Sequence, residues 1–566
     1  MTQPTESGGA PLNRDVAYEL PADALATLDA RALAELTPLG VERAVSVGDE
    51  LFRAGDESYD FFVLLEGAVD IIRADLEGDT LLTTYTAGHF LGELGMITGQ
   101  RLLVTARVSQ PGRVLAIPED DFRRIMSSNV DLADPIFSAF VARREILRLG
   151  EGARAVRIIG SRFSPDAMAL RAYAARSRLP HTWIDVEDEE DVGELLTGMG
   201  FHLSDTPVVI TPMGVLRHPT IGEFAEHTGL TFTQLPGYIF DLVIVGAGPS
   251  GLAAAVNGAA EGLNTLLLDA FSTGGQAGSS SRIENYVGFP SGISGEDLTP
   301  RTAIQAQRLG ARVSAPCEVV DLREEDGFHV FALADGSEVP ARSVIVATGA
   351  RYRRLSVEGL ERFEGAGVYY AATDLEARIC SPQPAIIVGG GNSAGQASIF
   401  LAQQGCHVTI VVRGGDLSHS MSHYLIERIE ADDRIELVTN TEIRELAGGH
   451  HLDCVTMEFT PTGELHTVTC AGLFCFIGAE PATEWLRNSL ALDAKEFVLT
   501  DRSLPDSVIN GAGFAVRDPL PYESSVPGVF AVGDVRSGSL KRVAAAVGEG
   551  SGAVRSVYEH LVGMDR

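Results

Sequence analysis

The sequence predicts a multidomain chain: an N-terminal β-roll with flanking helices, a small α/β domain, and then two α/β nucleotide-binding domains of the doubly wound kind. Three observations carry this prediction. At 566 residues the chain exceeds what one hydrophobic core supports, and ordinary domain size divides it into about four units. The stretches LFRAGDESYDFFVLLEGAVDII and LLTTYTAGHFLGELGMITGQRLLVTARV hold short strands broken by glycines, as in a small roll or barrel. Two apolar runs, 242–245 and 385–388, each break into closely spaced glycines and resume as a helix, the arrangement that seats a pyrophosphate on a helix N-terminus.

Composition narrows the partners. The net charge of −33, from 44 Lys and Arg against 77 Asp and Glu, argues against nucleic acid, whose phosphates are met by basic residues; such acidity serves solubility. No apolar stretch approaches the ~18 residues of a membrane span. The opening MTQPTESGGAPLNR lacks the apolar core of a signal peptide, so a cytoplasmic protein without a transmembrane segment is expected. The six cysteines, Cys317, Cys380, Cys406, Cys454, Cys470 and Cys475, form no C-x-x-C pair and no zinc or iron–sulfur spacing, so no metal is expected and they are read as buried free thiols.

Residues 1–150 make the first domain, with Gly55 and Gly67 at its turns and a helix over 136–149. Gly92, Glu93 and Leu94, followed by Arg101 and Leu102, resemble the phosphate cassette of cyclic-nucleotide-binding domains. The resemblance implies that Glu93 accepts from a ribose 2′-hydroxyl and that Arg101 pairs with the cyclic phosphate. The absence of Ser or Thr after Arg101 favours cAMP over cGMP. Leu102 and Leu103 stand where the family carries small residues, which keeps open a roll used only for contacts.

Residues 151–235 read strand, helix, strand, a strand entered through Pro207, and a last helix, with Ser164 as N-cap and Pro165 at the first helical position. The stretch resembles the thioredoxin or glutaredoxin fold, with Pro207 at that family's cis-proline position. Ser161-Arg162-Phe163-Ser164 stands where the family has its dithiol, so packing or docking is the expected role.

The third domain is expected over 236–355 and 481–566. Gly246, Gly248 and Gly251, with Pro249 and Ser250 between the last two, give a G-x-G-x-x-G turn, and Asp269 ends the next apolar run where a carboxylate can accept adenosine ribose hydroxyls. From 238 onward the chain resembles the low-molecular-weight thioredoxin reductases. That resemblance implies FAD and a homodimer formed through the flavin domain. It places Gly275, Gln276 and Asn285 beside the flavin, Gly533 and Asp534 at its ribityl and phosphate region, and Lys541, Arg542 and Val543 toward the isoalloxazine.

Within 356–480, Gly389, Gly391, Asn392, Ser393 and Ala394 form a second turn, G-x-G-x-x-A, and the following strand ends in Arg413. An acid there would bind the ribose diol of NADH, whereas arginine suits a 2′-phosphate. NADPH is expected, with NADH still possible.

Thioredoxin reductases pass electrons through a C-x-x-C in this domain. Here GVYYAATD places Ala371 and Asp374 at the cysteine positions, so disulfide exchange has no thiolate. No catalytic residue is assigned. The expected function is an FAD-dependent NAD(P)H oxidoreductase that delivers electrons to a diffusible acceptor such as a quinone, in the space left by the alanines unless Tyr369 and Tyr370 fill it, and is regulated by cAMP. Two alternatives stay open: a thioredoxin-disulfide reductase using cysteines remote in sequence, and a non-catalytic flavin-bound redox or cAMP sensor.

Overall fold

The computed structural model describes residues 23–75, 78–149, 155–188, 192–231, 238–280, 283, 285–364, 366–372 and 374–564. The chain divides into two compact units, 1–234 with 307–316, and 235–306 with 317–566.

In the first unit, helix α1 (Ala30–Leu36) leads into strands β1 (Val41–Val45), β2 (Glu50–Phe52), β3 (Phe61–Asp75), β4 (Gly78–Thr86) and β5 (Phe90–Leu91). The short helix α2 (Gly95–Thr98), strand β6 (Thr105–Ile117) and helices α3 (Glu119–Ser128) and α4 (Val130–Leu149) follow. The sheet order is β1-β6-β3-β4, with β2 on β6 and β5 on β3. Antiparallel pairing of β3 with β6 shifts register at Glu66 and Ala68, where Gly67 adopts φ +93° and a Cβ would lie 2.7 Å from the Gln110 carbonyl oxygen. Glycine is required there both by the left-handed backbone and by the close approach. Phe61, Phe90, Phe122 and Phe140 are fully buried, with the Phe61 and Phe122 rings stacked at 4.5 Å, and join the roll to α3 and α4. Each such ring contributes roughly 1.5–3 kcal/mol by leaving water.

The same unit continues with β7 (Val156–Gly160), α5 (Pro165–Arg176), β8 (His181–Asp185), α6 (Val192–Gly198), β9 (Val208–Thr211), β10 (Gly214–Arg217) and α7 (Ile221–Thr228). The order is β10-β9-β7-β8, with β7 parallel to β8 and antiparallel to β9. Ser164 accepts from Ala167 N–H to cap α5, and a Thr220–Glu223 capping box opens α7. The Thr206–Pro207 peptide is cis.

In the second unit, β11 (Phe240–Val245) runs into α8 (Pro249–Ala260) and β12 (Thr265–Leu268). β11 is parallel to both β12 and the strand Glu338–Val346, which also pairs in parallel with Val529–Ala531. Leu242, Val243 and Ile244 are fully buried, as a parallel strand covered on both faces requires. A second, five-stranded parallel sheet runs in the order Val368–Tyr369, Gly472–Cys475, Pro384–Val388, His407–Val411, Ile435–Val438. An antiparallel meander, Thr441–Gly448, Leu452–Phe459 and Glu464–Thr469, makes a separate three-stranded sheet. Among the described residues no helix is long and apolar enough to cross a membrane.

Candidate nucleotide sites

The three glycines of the first turn do three different jobs. Gly246 has φ +105°, and a Cβ there would lie 2.3 Å from the Ala347 carbonyl oxygen, so it lets the turn lie against the neighbouring strand end. A Cβ on Gly251 would fall 1.8 Å from Gly246 O, which presses α8 onto its own turn. Gly248, the N-cap of α8, has nothing within 4 Å of the Cβ position and φ −72°. It faces open space at a helix start, where unbonded N–H groups and the dipole favour an anion. Gly275 lies against this turn, with its Cβ position 2.9 Å from Gly248 Cα.

Asp269 is held by its own turn. It takes three backbone donors: Ala247 N–H at 2.7 Å on one oxygen, and Phe271 and Ser272 N–H at 2.9 and 3.1 Å on the other. The shorter Asp side chain thus ties the glycine turn to the loop after β12. The adjoining Ser272 hydroxyl is buried and completes no hydrogen bond. Gln276 donates through its amide to the Ala350 carbonyl, whereas Asn285 is exposed.

At the other end of the unit, Gly533 sits against Ser250 of α8, with 2.5 Å between its Cβ position and the hydroxyl oxygen. Burial pushes the Asp534 carboxyl above the usual carboxylate range, against the pull of Lys541. Desolvation lowers the Lys541 ammonium, which lies 4.3 Å from the Phe497 ring centroid. Lys541 and Arg542 are exposed and Val543 is half-buried. Sequence reasoning missed the pair that holds this segment: Glu549 accepts from Gly533 N–H at 2.7 Å and pairs with Arg536 at 2.6 Å.

The second turn repeats the logic with one change. Gly389 has φ +136°, with its Cβ position 2.2 Å from the Phe476 carbonyl oxygen, and Gly391 is the N-cap of helix Asn392–Gln403. Ala394 is fully buried in place of a third glycine. The Asn392 side chain accepts from Ser422 N–H at 2.7 Å, and Ser420 Oγ donates to the Gly390 carbonyl at 2.7 Å; neither serine was singled out from sequence. Arg413 stands exposed just past the strand His407–Val411. Ser393 is exposed on the helix.

In the stretch GVYYAATD, Ala371 is half-buried and Ala372 buried. The Asp374 side chain lies outside the described residues. Tyr369 packs on Phe474 at 5.3 Å, and the Tyr370 hydroxyl donates to Glu364 at 2.7 Å. Four cysteines, Cys380, Cys406, Cys470 and Cys475, are buried, and burial pushes the thiols of Cys380, Cys470 and Cys475 up to about 12.

In the roll, Gly92 has φ +156°, and its Cβ position lies 2.8 Å from the Phe140 ring. Leu94 and Leu102 are buried. Glu93, 5% exposed, pairs with Arg144 of α4 at 2.5 Å, and Arg101 pairs with Glu57. Leu102 N–H donates to the Asp56 carbonyl at 3.3 Å. The two side chains assigned to a ligand therefore each hold an internal counter-charge, which the sequence did not reveal.

Residues 240–550 match the pyridine nucleotide-disulphide oxidoreductase family, and residues 42–129 match the cyclic nucleotide-binding domain. Thioredoxin reductase of Listeria monocytogenes is 30% identical over 326 residues, covering 57% of this chain and 94% of the relative. Thioredoxin reductase of Mycolicibacterium smegmatis is 32% identical over 316 residues, 56% of this chain and 94% of the relative. The crystal structure of Lactococcus lactis thioredoxin reductase aligns with TM-score 0.51 at 28% identity, over 57% of this chain and 99% of that one.

Proposed function

The chain belongs to the pyridine nucleotide-disulphide oxidoreductase family, and from that premise we propose an FAD-dependent NADPH oxidoreductase that reduces a diffusible quinone under cyclic-nucleotide control. The observation that carries the acceptor is the chemistry at 371–374. Relatives named thioredoxin reductase resemble this chain over more than half its length, and the resemblance puts Ala371 and Asp374 where that family carries its dithiol. The buried cysteines, with thiols held protonated, offer no substitute nucleophile. This weighs against disulfide reduction.

The residues fit a flavin. The open Cβ position of Gly248, the anion-favouring start of α8 and the unsatisfied buried Ser272 hydroxyl form a cradle for a pyrophosphate and its ribose. When bound, FAD supplies hydride acceptance from a nicotinamide and electron delivery to an acceptor. The chain's part is to bind and orient. Asn392 fixes the loop beside the second turn, and Arg413 offers a cation to a 2′-phosphate. Tyr369 and Tyr370 are engaged by Phe474 and Glu364. Overall, two electrons from NADPH and two protons convert the quinone to its hydroquinone.

For the domain over 151–235 we infer a thioredoxin fold without redox function. The order β10-β9-β7-β8, with β7 parallel to β8 and antiparallel to β9, supports the fold. Ser161 donates to Glu187, and Arg162 pairs with Asp185 at 2.7 Å, where a dithiol would act. We further infer cAMP as the nucleotide, a homodimer and a cytoplasmic setting.

Anaerobic stopped-flow absorbance tests the reading. NADPH is expected to bleach the flavin band rapidly, and a naphthoquinone to restore it, with cAMP changing either phase. Bleaching without recovery on any quinone overturns the acceptor and favours a protein partner or a sensor.

A further inference from the structure

The cyclic-nucleotide-binding domain and the small α/β domain meet at the phosphate cassette itself. Gln100 and Arg101, at the end of the cassette, each hydrogen-bond to the C-terminal end of a helix in the small domain. Gln100 Nε2 donates to the carbonyl of Ser177, the C-cap of α5, at 3.2 Å. Arg101 N–H donates to the carbonyl of Thr228, the last residue of α7, at 3.1 Å. Gly229, with φ +73°, closes α7 so tightly on the cassette that a Cβ there would lie 2.9 Å from Arg101 Cγ.

The ligand-facing acid is wired to the first of these contacts. Arg144, 3% exposed, pairs through Nε with Glu93, and its Nη1 donates to Gln100 Oε1. Glu93, Arg144, Gln100 and Ser177 thus form one continuous polar chain from the cassette to the neighbouring domain. A ribose hydroxyl donating to Glu93 competes with Arg144 for the same carboxylate, and a phosphate at Arg101 competes with Glu57. The chain is poised for such a change, since Arg143 Nη2 and Arg144 Nη2 are buried and complete no hydrogen bond.

We propose that Arg144 and Gln100 are a relay through which nucleotide occupancy of the cassette loosens the docking of the small α/β domain. This rests on the reading that the cassette takes a cyclic nucleotide. Ligand and Arg144 bind the same acid, so each disfavours the other. That reciprocity is the coupling. The small domain is thereby the first recipient of the signal, a role that needs no cysteine.

The test is hydrogen exchange of the full-length protein, read in peptides covering 174–180 and 224–230, with cAMP affinity measured by calorimetry on the same samples. In the wild type, cAMP is expected to raise exchange in both peptides about fivefold or more. Gln100→Ala is expected to bind cAMP about fivefold more tightly than wild type, to exchange fast in 174–180 without ligand, and to lose the response there. Gln100→Glu keeps an acceptor for Arg144 but has no donor for the Ser177 carbonyl, and is expected to behave alike. Wild type that binds cAMP with unchanged exchange, or Gln100 variants that respond as wild type does, overturn the relay and leave the nucleotide reading standing. No binding of cAMP or cGMP at millimolar concentration overturns the nucleotide reading, and the relay with it.

Discussion

Gly251→Ala and Gly248→Ala separate a glycine kept for packing from one kept for a ligand. At Gly251 the added carbon would fall 1.8 Å from Gly246 O and 3.3 Å from Ala347 Cβ. The turn cannot retreat, because Gly246 itself lies against the Ala347 carbonyl. The helix start must open by roughly 1 Å to accept the carbon, an overpacking cost of about 3 kcal/mol. Better helix propensity returns about 1 kcal/mol, leaving about 2 kcal/mol of net loss. For a unit of this size the apo protein should melt roughly 3 °C lower. At Gly248 the same carbon meets nothing within 4 Å, and φ −72° suits any residue, so apo stability should stay within about 1 °C of wild type. That carbon projects where the pyrophosphate backbone approach is needed, and flavin affinity should fall about tenfold or more. Calorimetric melts of flavin-stripped protein and flavin titration of the same samples give both numbers. Equal apo melting losses in the two variants, or full flavin affinity in Gly248→Ala, would refute the division of roles.

Three further outcomes follow from the same geometry. Burial pushes the His560 imidazole down to about 4, with Glu523, Arg517, His329 and Arg342 around it. Its folded value lies below its unfolded value of 6.5, so its contribution is full above pH 6.5 and is lost as pH falls toward 4. That loss is about 2 kcal/mol after screening, and His560→Gln should flatten it in melts across that window; an unchanged slope refutes the assignment. Arg413→Glu should lower the NADPH-over-NADH ratio of kcat/KM about 10–100-fold, through loss of a charge-assisted contact, and an unaltered ratio would remove Arg413 from the site. Cys475→Ser should cost about 1–2 kcal/mol by burying an unpaired hydroxyl while leaving quinone reduction within about twofold; collapse of turnover in folded protein would restore a cysteine mechanism.

What the chain reveals to a reader of its sequence is mostly local. The glycine turns at 246–251 and 389–394 are legible because a strand, a φ-positive glycine and a helix start fall within ten residues. The Ser164 cap and the first-turn Pro165 of α5 are legible for the same reason. So is the absence of a C-x-x-C, which is a matter of residue identity alone. Arg413 is picked out by counting from a strand end. Gln276 and Asn285 were assigned only through resemblance, and one proves to donate to a backbone carbonyl while the other is exposed.

The pairings were decided elsewhere. Arg144 meets Gln100 and Arg101 meets Glu57 across 44 residues in each case, and Arg536 meets Glu549 on a different element. Asp269 also ties down its own turn, because the fold brings three backbone N–H groups to its carboxylate. Sequence determined which groups exist and which backbone turns form, since those depend on neighbours within a turn of helix or strand. Which charge neutralises which was settled only by the tertiary structure, because burial makes an unpaired charge costly and only packing determines which opposite charge is within reach.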